Sequence, residues 1–174
     1  TVGLLLTNTF AQQRNAAVWE RALQEKPRFL DTLKELVSIE SGSSDPAGLS
    51  RVADLIAARL GALGGVVRQV APPADMVRFQ NTPAQPGNSV VAQFRGSGTK
   101  RILLLAHMDT VYRPGMLGQQ PFRIDGDRAY GLGIADNKQG VALLLHTVSM
   151  VKALSSRFGL MTVLFTADEE VSSP

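Results

Sequence analysis

From Ala16 onward apolar residues recur every three or four positions, first through Lys26 and then, with Pro27 tolerated in a first turn, through Leu30, Leu33, Leu36 and Val37. This spacing predicts helix. Ser41 to Pro46 interrupts it, and Leu49, Val52, Ile56, Leu60 and Leu63 then form the stripe of a second amphipathic helix, which Gly64-Gly65 closes. Val66 to Val70 predicts a strand. Residues 72–88 hold four prolines and little periodicity, the pattern of a long surface loop. Ser89 to Arg95 and Arg101 to Ala106 predict two strands joined by the turn Gly96-Ser97-Gly98, and the unbroken apolar run Ile102 to Ala106 suits a strand covered on both faces. Phe122 to Asp125 and Arg128 to Tyr130 flank an Asp-Gly pair as a hairpin. Lys138 to Leu154 is helical, with Val141, Leu144, Leu145, Val148 and Val151 on one face, and Leu160 to Thr166 predicts another buried strand. Trp19 and the phenylalanines fall at core-like positions. Strands alternating with helices give an α/β fold, a mostly parallel mixed sheet flanked by helices.

Composition narrows the function classes. With 174 residues and 44% hydrophobic content the chain can bury one core, which assigns residues 16–174 to a single domain after an N-terminal segment, residues 1–15. The net charge of +3 is scattered rather than gathered in a basic run, so no nucleic-acid partner is implied. No apolar stretch reaches the roughly 18 residues of a membrane span. Val2 to Leu6 is apolar, however, and Thr9-Phe10-Ala11 before Gln12 resembles the small-residue end of a secretory signal without its basic start. Read so, the protein is periplasmic or secreted; read as a plain N-terminal segment or first helical turn, a cytoplasmic location stands. The absence of cysteine excludes disulfides, thiolate zinc and a cysteine nucleophile, so any metal must be held by His, Asp and Glu.

Such residues stand at the C-terminal ends of the predicted elements, where open α/β sheets place ligands: His107-Met108-Asp109 after one strand, Asp136 before a helix, and Asp168-Glu169-Glu170 after the last strand. Each alone has an ordinary structural explanation, a helix cap or a solvated loop. Together they supply the converging imidazole and carboxylates of a hydrolytic metal site. Asp136 suits bridging, Asp109 can orient the imidazole of His107, and the adjacent Glu169 and Glu170 permit one to coordinate while the other takes a proton. Other conspicuous residues fit less well. His146 lies within a helix and reads as packed or surface-exposed. Gly131-Leu132-Gly133 lacks the ending of a phosphate loop. Ser43 or Ser172 with His107 and Asp109 would make a serine triad, but neither has the glycine-flanked elbow of such a nucleophile.

The run Leu103-Leu104-Leu105-Ala106-His107-Met108-Asp109-Thr110-Val111-Tyr112, with Gly133-Ile134-Ala135-Asp136-Asn137-Lys138 and Thr162-Val163-Leu164-Phe165 ahead of Asp168-Glu169-Glu170, resembles the zinc-dependent aminoacylase and carboxypeptidase family, in particular glutamate carboxypeptidases of the carboxypeptidase G type. Leu36-Val37-Ser38-Ile39-Glu40-Ser41 fits as well, so the likeness covers most of the chain after about residue 20. The resemblance implies a zinc-exopeptidase-like catalytic domain with two zinc ions. His107 would bind one, Asp136 bridge both and Glu170 bind the other, with Glu169 as general base and Asp109 orienting His107. It also implies a cis peptide between Asp136 and Asn137. Asn137, Gln139 and Val171-Ser172 depart from the commonest family pattern. Implied substrates are small peptides or N-acyl amino acids, glutamate being the expected leaving residue. Deacylases, dipeptidases and a non-catalytic zinc- or peptide-binding relative are the alternatives. Three ligands are too few for two zinc ions, so the reading expects an incomplete catalytic domain, the N-terminal part of a longer protein whose full-length form is a homodimer.

Overall fold

The computed structural model describes residues 15–154 and 157–174. The apolar segment Val2 to Leu6 and the signal reading attached to it lie outside the described residues.

Helix α1, Ala16–Val37, begins at Asn15, whose side-chain oxygen accepts the Val18 N–H at 3.2 Å and caps the first turn. The helix runs without a break through Pro27, where the sequence pattern gave two pieces with the proline in a first turn. Pro27 is exposed, so the carbonyl that loses its intrahelical donor has water within reach, while Thr32, Leu33, Leu36 and Val37 are buried on the inner side. Helix α2, Pro46–Ala62, is capped by Asp45, whose Oδ1 accepts the Gly48 N–H at 2.9 Å, with Pro46 at the first position. Leu49, Val52, Ile56 and Leu60 are fully buried along one stripe, as their spacing predicts.

The sheet contains β1 Val66–Val70, β2 Ser89–Arg95, β3 Lys100–His107 and, beyond the small hairpin β4 Arg123–Asp125 and β5 Arg128–Tyr130, β6 Phe158–Thr166. Strand order is β1-β2-β6-β3. The sheet is mixed, as expected, but its balance differs from a mostly parallel one: β1–β2 and β2–β6 are antiparallel, and β3–β6 is parallel. The turn Gly96-Ser97-Gly98 does not make β2 and β3 neighbours. It passes over the start of β6, with Gly96 N–H donating to Gly159 O and Gly98 N–H to Phe158 O, and β6 enters between the two strands.

Helix α3, Gln139–Leu154, packs with α2 against one face of the sheet, and α1 lies against α3. That face presents Val90, Ala92 and Phe94 from β2, Met161, Val163 and Phe165 from β6, and Ala106 from β3, all buried. On the opposite face no helix of the described residues covers the strands. Leu103 and Leu105 of the edge strand β3 are 63% and 60% exposed. The expectation of two covered faces is corrected here: an apolar run makes both faces apolar, but only alternate residues meet α3. Trp19 and Phe79, each 48% exposed, are also not core residues. No helix among the described residues is long and apolar enough to cross a membrane.

Candidate metal centre

Three backbone elements end at one place. β3 delivers His107, after which Met108 N–H donates to Thr166 O at 2.8 Å and keeps the chain beside β6 as it turns through Asp109 and Thr110. β6 leads into Asp168 and a short helical turn, Glu169–Val171. Between them a π-helical turn, Ile134–Lys138, carries Asp136, with backbone angles φ −137° and ψ 92° that no helix uses. The peptide between Asp136 and Asn137 is cis, as the resemblance implies.

Ligand atoms of His107, Asp136 and Glu170 all lie within 4.8 Å of one another. His107 Nε2 is 3.0 Å from Asp136 Oδ1 and 3.9 Å from Glu169 Oε2, while its Nδ1 is 3.2 Å from Asp109 Oδ1. The two ring nitrogens thus face different partners, Nε2 toward the open cluster and Nδ1 toward the interior. Asp136 and Glu169 have side chains 76% and 55% exposed, whereas Asp109 is fully buried. Asp109 Oδ1 also accepts the Glu169 N–H at 3.2 Å, and Oδ2 accepts the Glu170 N–H at 3.1 Å and the Ser43 hydroxyl at 2.8 Å.

The electrostatics follow from this crowding of acids. The bond to Asp109 is the largest influence on the His107 imidazole and, joined by Asp136 and Glu169 against the opposing effect of burial, pushes its pKa up to about 9. Burial pushes the Asp109 carboxyl up, but bonds from His107, Ser43 and Glu170 outweigh it and hold the group below the usual range. Glu170 is raised, first by burial and then by the charge of Asp136; Asp168 is raised by burial and by Asp109. These carboxylates repel one another and favour a cation among them. One imidazole nitrogen and two carboxylates, without sulfur, form a donor set that fits zinc, which sits about 2 Å from each such donor.

Residues outside the cluster have partners of their own. His146 bonds Thr32 Oγ1 at 2.9 Å and Glu25 Oε2 at 2.9 Å beneath α1, away from the centre. The Ser43 hydroxyl meets Asp109 rather than His107, so the residues do not form a serine triad. Sequence reasoning missed two groups. Lys138, 2% exposed, donates its ammonium protons to the carbonyls of Leu36, at 2.9 Å, and Ile39, fastening the Asp136 turn to the end of α1. Burial lowers its pKa to about 8, with Glu40 opposing. Glu40 accepts the N–H groups of Gly115 and Leu117 at 2.9 and 2.8 Å. A lone Lys at the end of a helical turn, or a lone Glu in a loop, carries no pattern that would reveal either contact.

Known proteins resemble the chain. Residues 103–174 match the model of peptidase family M20/M25/M40. Carboxypeptidase G2 of Pseudomonas sp. strain RS-16 is 40% identical over 164 residues, 94% of this chain and 37% of that protein. Acetylornithine deacetylase of Proteus mirabilis strain HI4320 is 29% identical over 84% of this chain and 37% of its own. Among solved structures, human carnosine dipeptidase 1 superposes with a TM-score of 0.73 at 25% identity over 90% of this chain and 35% of that one. The chain therefore spans little more than a third of the length of these relatives. Such a family implies a metal cofactor, typically zinc. The matched span starts within β3 and takes in His107, Asp136 and Glu170, so the chain's likeness to peptidase family M20/M25/M40 includes all three candidate ligands.

Proposed function

We propose that the protein is a zinc metallopeptidase that hydrolyses the amide bond of a C-terminal amino acid, glutamate foremost. The observation that carries this reading is the convergence of His107, Asp136 and Glu170 with a second carboxylate, Glu169, beside the imidazole. His107 and Glu170 would each hold one of two zinc ions, and Asp136, whose carboxylate is exposed and 3.0 Å from His107 Nε2, would bridge them. Bound zinc supplies Lewis acidity to a substrate carbonyl and to water.

The remaining steps belong to the chain. Glu169, half exposed beside the cluster, would take the proton of the attacking water and return it to the departing nitrogen, a role its position near His107 supports. Asp109 holds the Nδ1 side of His107, leaving Nε2 directed at the cluster. The same carboxylate holds the Glu169 and Glu170 amides, so proton acceptor and ligand are fixed from one buried point. The identity to a carboxypeptidase over almost the whole chain supports the C-terminal leaving group. Likeness to a protein named as a deacetylase and to another named as a dipeptidase makes N-acyl amino acids and dipeptides the rival substrates.

A hydrolysis screen of the natural protein that carries this sequence, with and without chelator, tests the reading. It should release glutamate from C-terminal glutamyl substrates in a chelator-sensitive way. In the same assay Glu169→Gln should retain zinc while turnover falls by roughly a hundred- to ten-thousand-fold. Full turnover in that variant would overturn the role of Glu169, and a zinc-loaded protein releasing nothing from any substrate would favour the non-catalytic relative.

A further inference from the structure

The segment Ser41–Ser43, between α1 and α2, runs alongside the corner that follows His107. Gly42 and Thr110 form a parallel bridge, with Thr110 N–H donating to Ser41 O at 2.9 Å and Ser43 N–H to Thr110 O at 3.0 Å. Two hydroxyls of this strap reach inward, and they reach different targets. Ser41 Oγ donates to the Met108 carbonyl at 2.8 Å, a backbone group. Ser43 Oγ donates to Asp109 Oδ2 at 2.8 Å, with the Thr110 carbonyl a distant second acceptor at 3.4 Å.

The bond to Asp109 completes a set. A carboxylate offers about four acceptor positions, two on each oxygen. Oδ1 receives His107 Nδ1 and the Glu169 amide; Oδ2 receives the Glu170 amide and Ser43. The Ser43 bond is shorter than the other three and is made by a side chain outside the strand ends that carry the centre. Without it Oδ2 keeps one donor, and three bonds rather than four resist rotation of the carboxylate about its own axis. Any such rotation shifts the acceptor of His107 Nδ1 together with the acceptors of the amides of Glu169 and Glu170. Ser43 is itself buried, 6% exposed, so it has no access to substrate.

Resting on the metal-centre reading above, we infer that Ser43 is a positioning residue of that centre, acting through Asp109 to fix His107, Glu169 and Glu170 at once. Its hydroxyl, not its bulk, sets the metal affinity of the site. Loss of a group that orients a metal ligand weakens metal binding by roughly ten- to a hundred-fold, and that is the effect assigned to the hydroxyl.

The experiment uses cobalt(II) as the probe, with calorimetric titration and the visible absorption spectrum as readouts, on the natural protein and on Ser43→Ala, Ser43→Thr, Ser43→Val and Ser41→Ala. Ser43→Ala should bind cobalt ten- to a hundred-fold more weakly with an altered spectrum, and Ser43→Thr should restore both. Ser41→Ala, which removes a hydroxyl from the same strap, should leave affinity and spectrum unchanged. Thr and Val have the same shape, so their difference isolates the hydroxyl even if Ala loosens the fold. Equal cobalt affinity in Ser43→Thr and Ser43→Val overturns the inference. Equal weakening by Ser41→Ala and Ser43→Ala also overturns it, because the strap would then act only as structure. A parent protein that binds no cobalt overturns the metal-centre reading itself, a result distinct from parent binding with an indifferent Ser43.

Discussion

Asp109 sits with no exposed surface among four donors, and that arrangement makes its charge and its two oxygens equally necessary. Asparagine in its place would turn an N–H₂ group toward two of those donors, whichever way the amide is flipped. A buried donor facing a donor leaves polar groups unsatisfied and costs about 1–3 kcal/mol. Asp109→Asn should therefore lower the urea stability of the metal-free protein by that amount and, separately, weaken metal binding in calorimetric titration. Unchanged stability would show that the four bonds do not share one acceptor. The reasons for legibility differ from residue to residue here. His107, Asp136 and Glu170 were legible in the sequence because they are chemically conspicuous and fall at predicted element ends. Ser43 and Lys138 were not, since a hydroxyl acquires its meaning from a partner 66 positions away and a buried ammonium from carbonyls roughly a hundred positions away.

At the level of elements, the loop that leaves the centre is tied back to the end of α1 by Glu40, whose carboxylate accepts the Gly115 and Leu117 amides. These two bonds are the leading cause of its lowered pKa. The sign is fixed by that direction: a depressed carboxyl contributes stability above its unfolded value near 4.5, and that contribution is lost as pH falls through the lower folded value. In an NMR titration the amide protons of Gly115 and Leu117 should move together with one inflection below pH 4.5, and Glu40→Gln should abolish it. An inflection at or above that pH would contradict the anchoring. The strap is just as exacting. A Cβ on Gly42 would lie 2.1 Å from the Tyr112 carbonyl oxygen, a backbone atom that cannot swing aside. Gly42→Ala should destabilise the fold by about 1–3 kcal/mol in urea unfolding and disturb metal binding along with it. Helices α2 and α3 and the hairpin were readable because period and turn chemistry are local. The passage of α1 through Pro27 and the insertion of β6 between β2 and β3 were not, because exposure and strand order are decided by the rest of the fold.

Among the described residues the molecule is one-sided. Its helices cover the sheet face that carries Phe94, Val163 and Phe165, and on the other face Leu103 and Leu105 stand largely exposed beside the partly exposed Val91 and Leu164. Both leucines lie on β3, which pairs with β6 on one side and has no strand on the other among the described residues. An apolar face meeting an open strand edge is the arrangement that pairs with another copy or aggregates, because both the hydrophobic surface and the backbone donors and acceptors are unoccupied. The 174-residue chain purified by itself should consequently self-associate as its concentration rises, in sedimentation velocity or light scattering. Replacing both leucines by lysine places charge on that face without touching the packed side, where Ala106 and Val163 are buried. Leu103→Lys/Leu105→Lys should then sediment as a smaller species with an unchanged circular-dichroism spectrum. A parent chain that stays monomeric at every concentration, or a double variant that associates as strongly as the parent, would show that the exposed face of β3 does not govern how the chain behaves in solution.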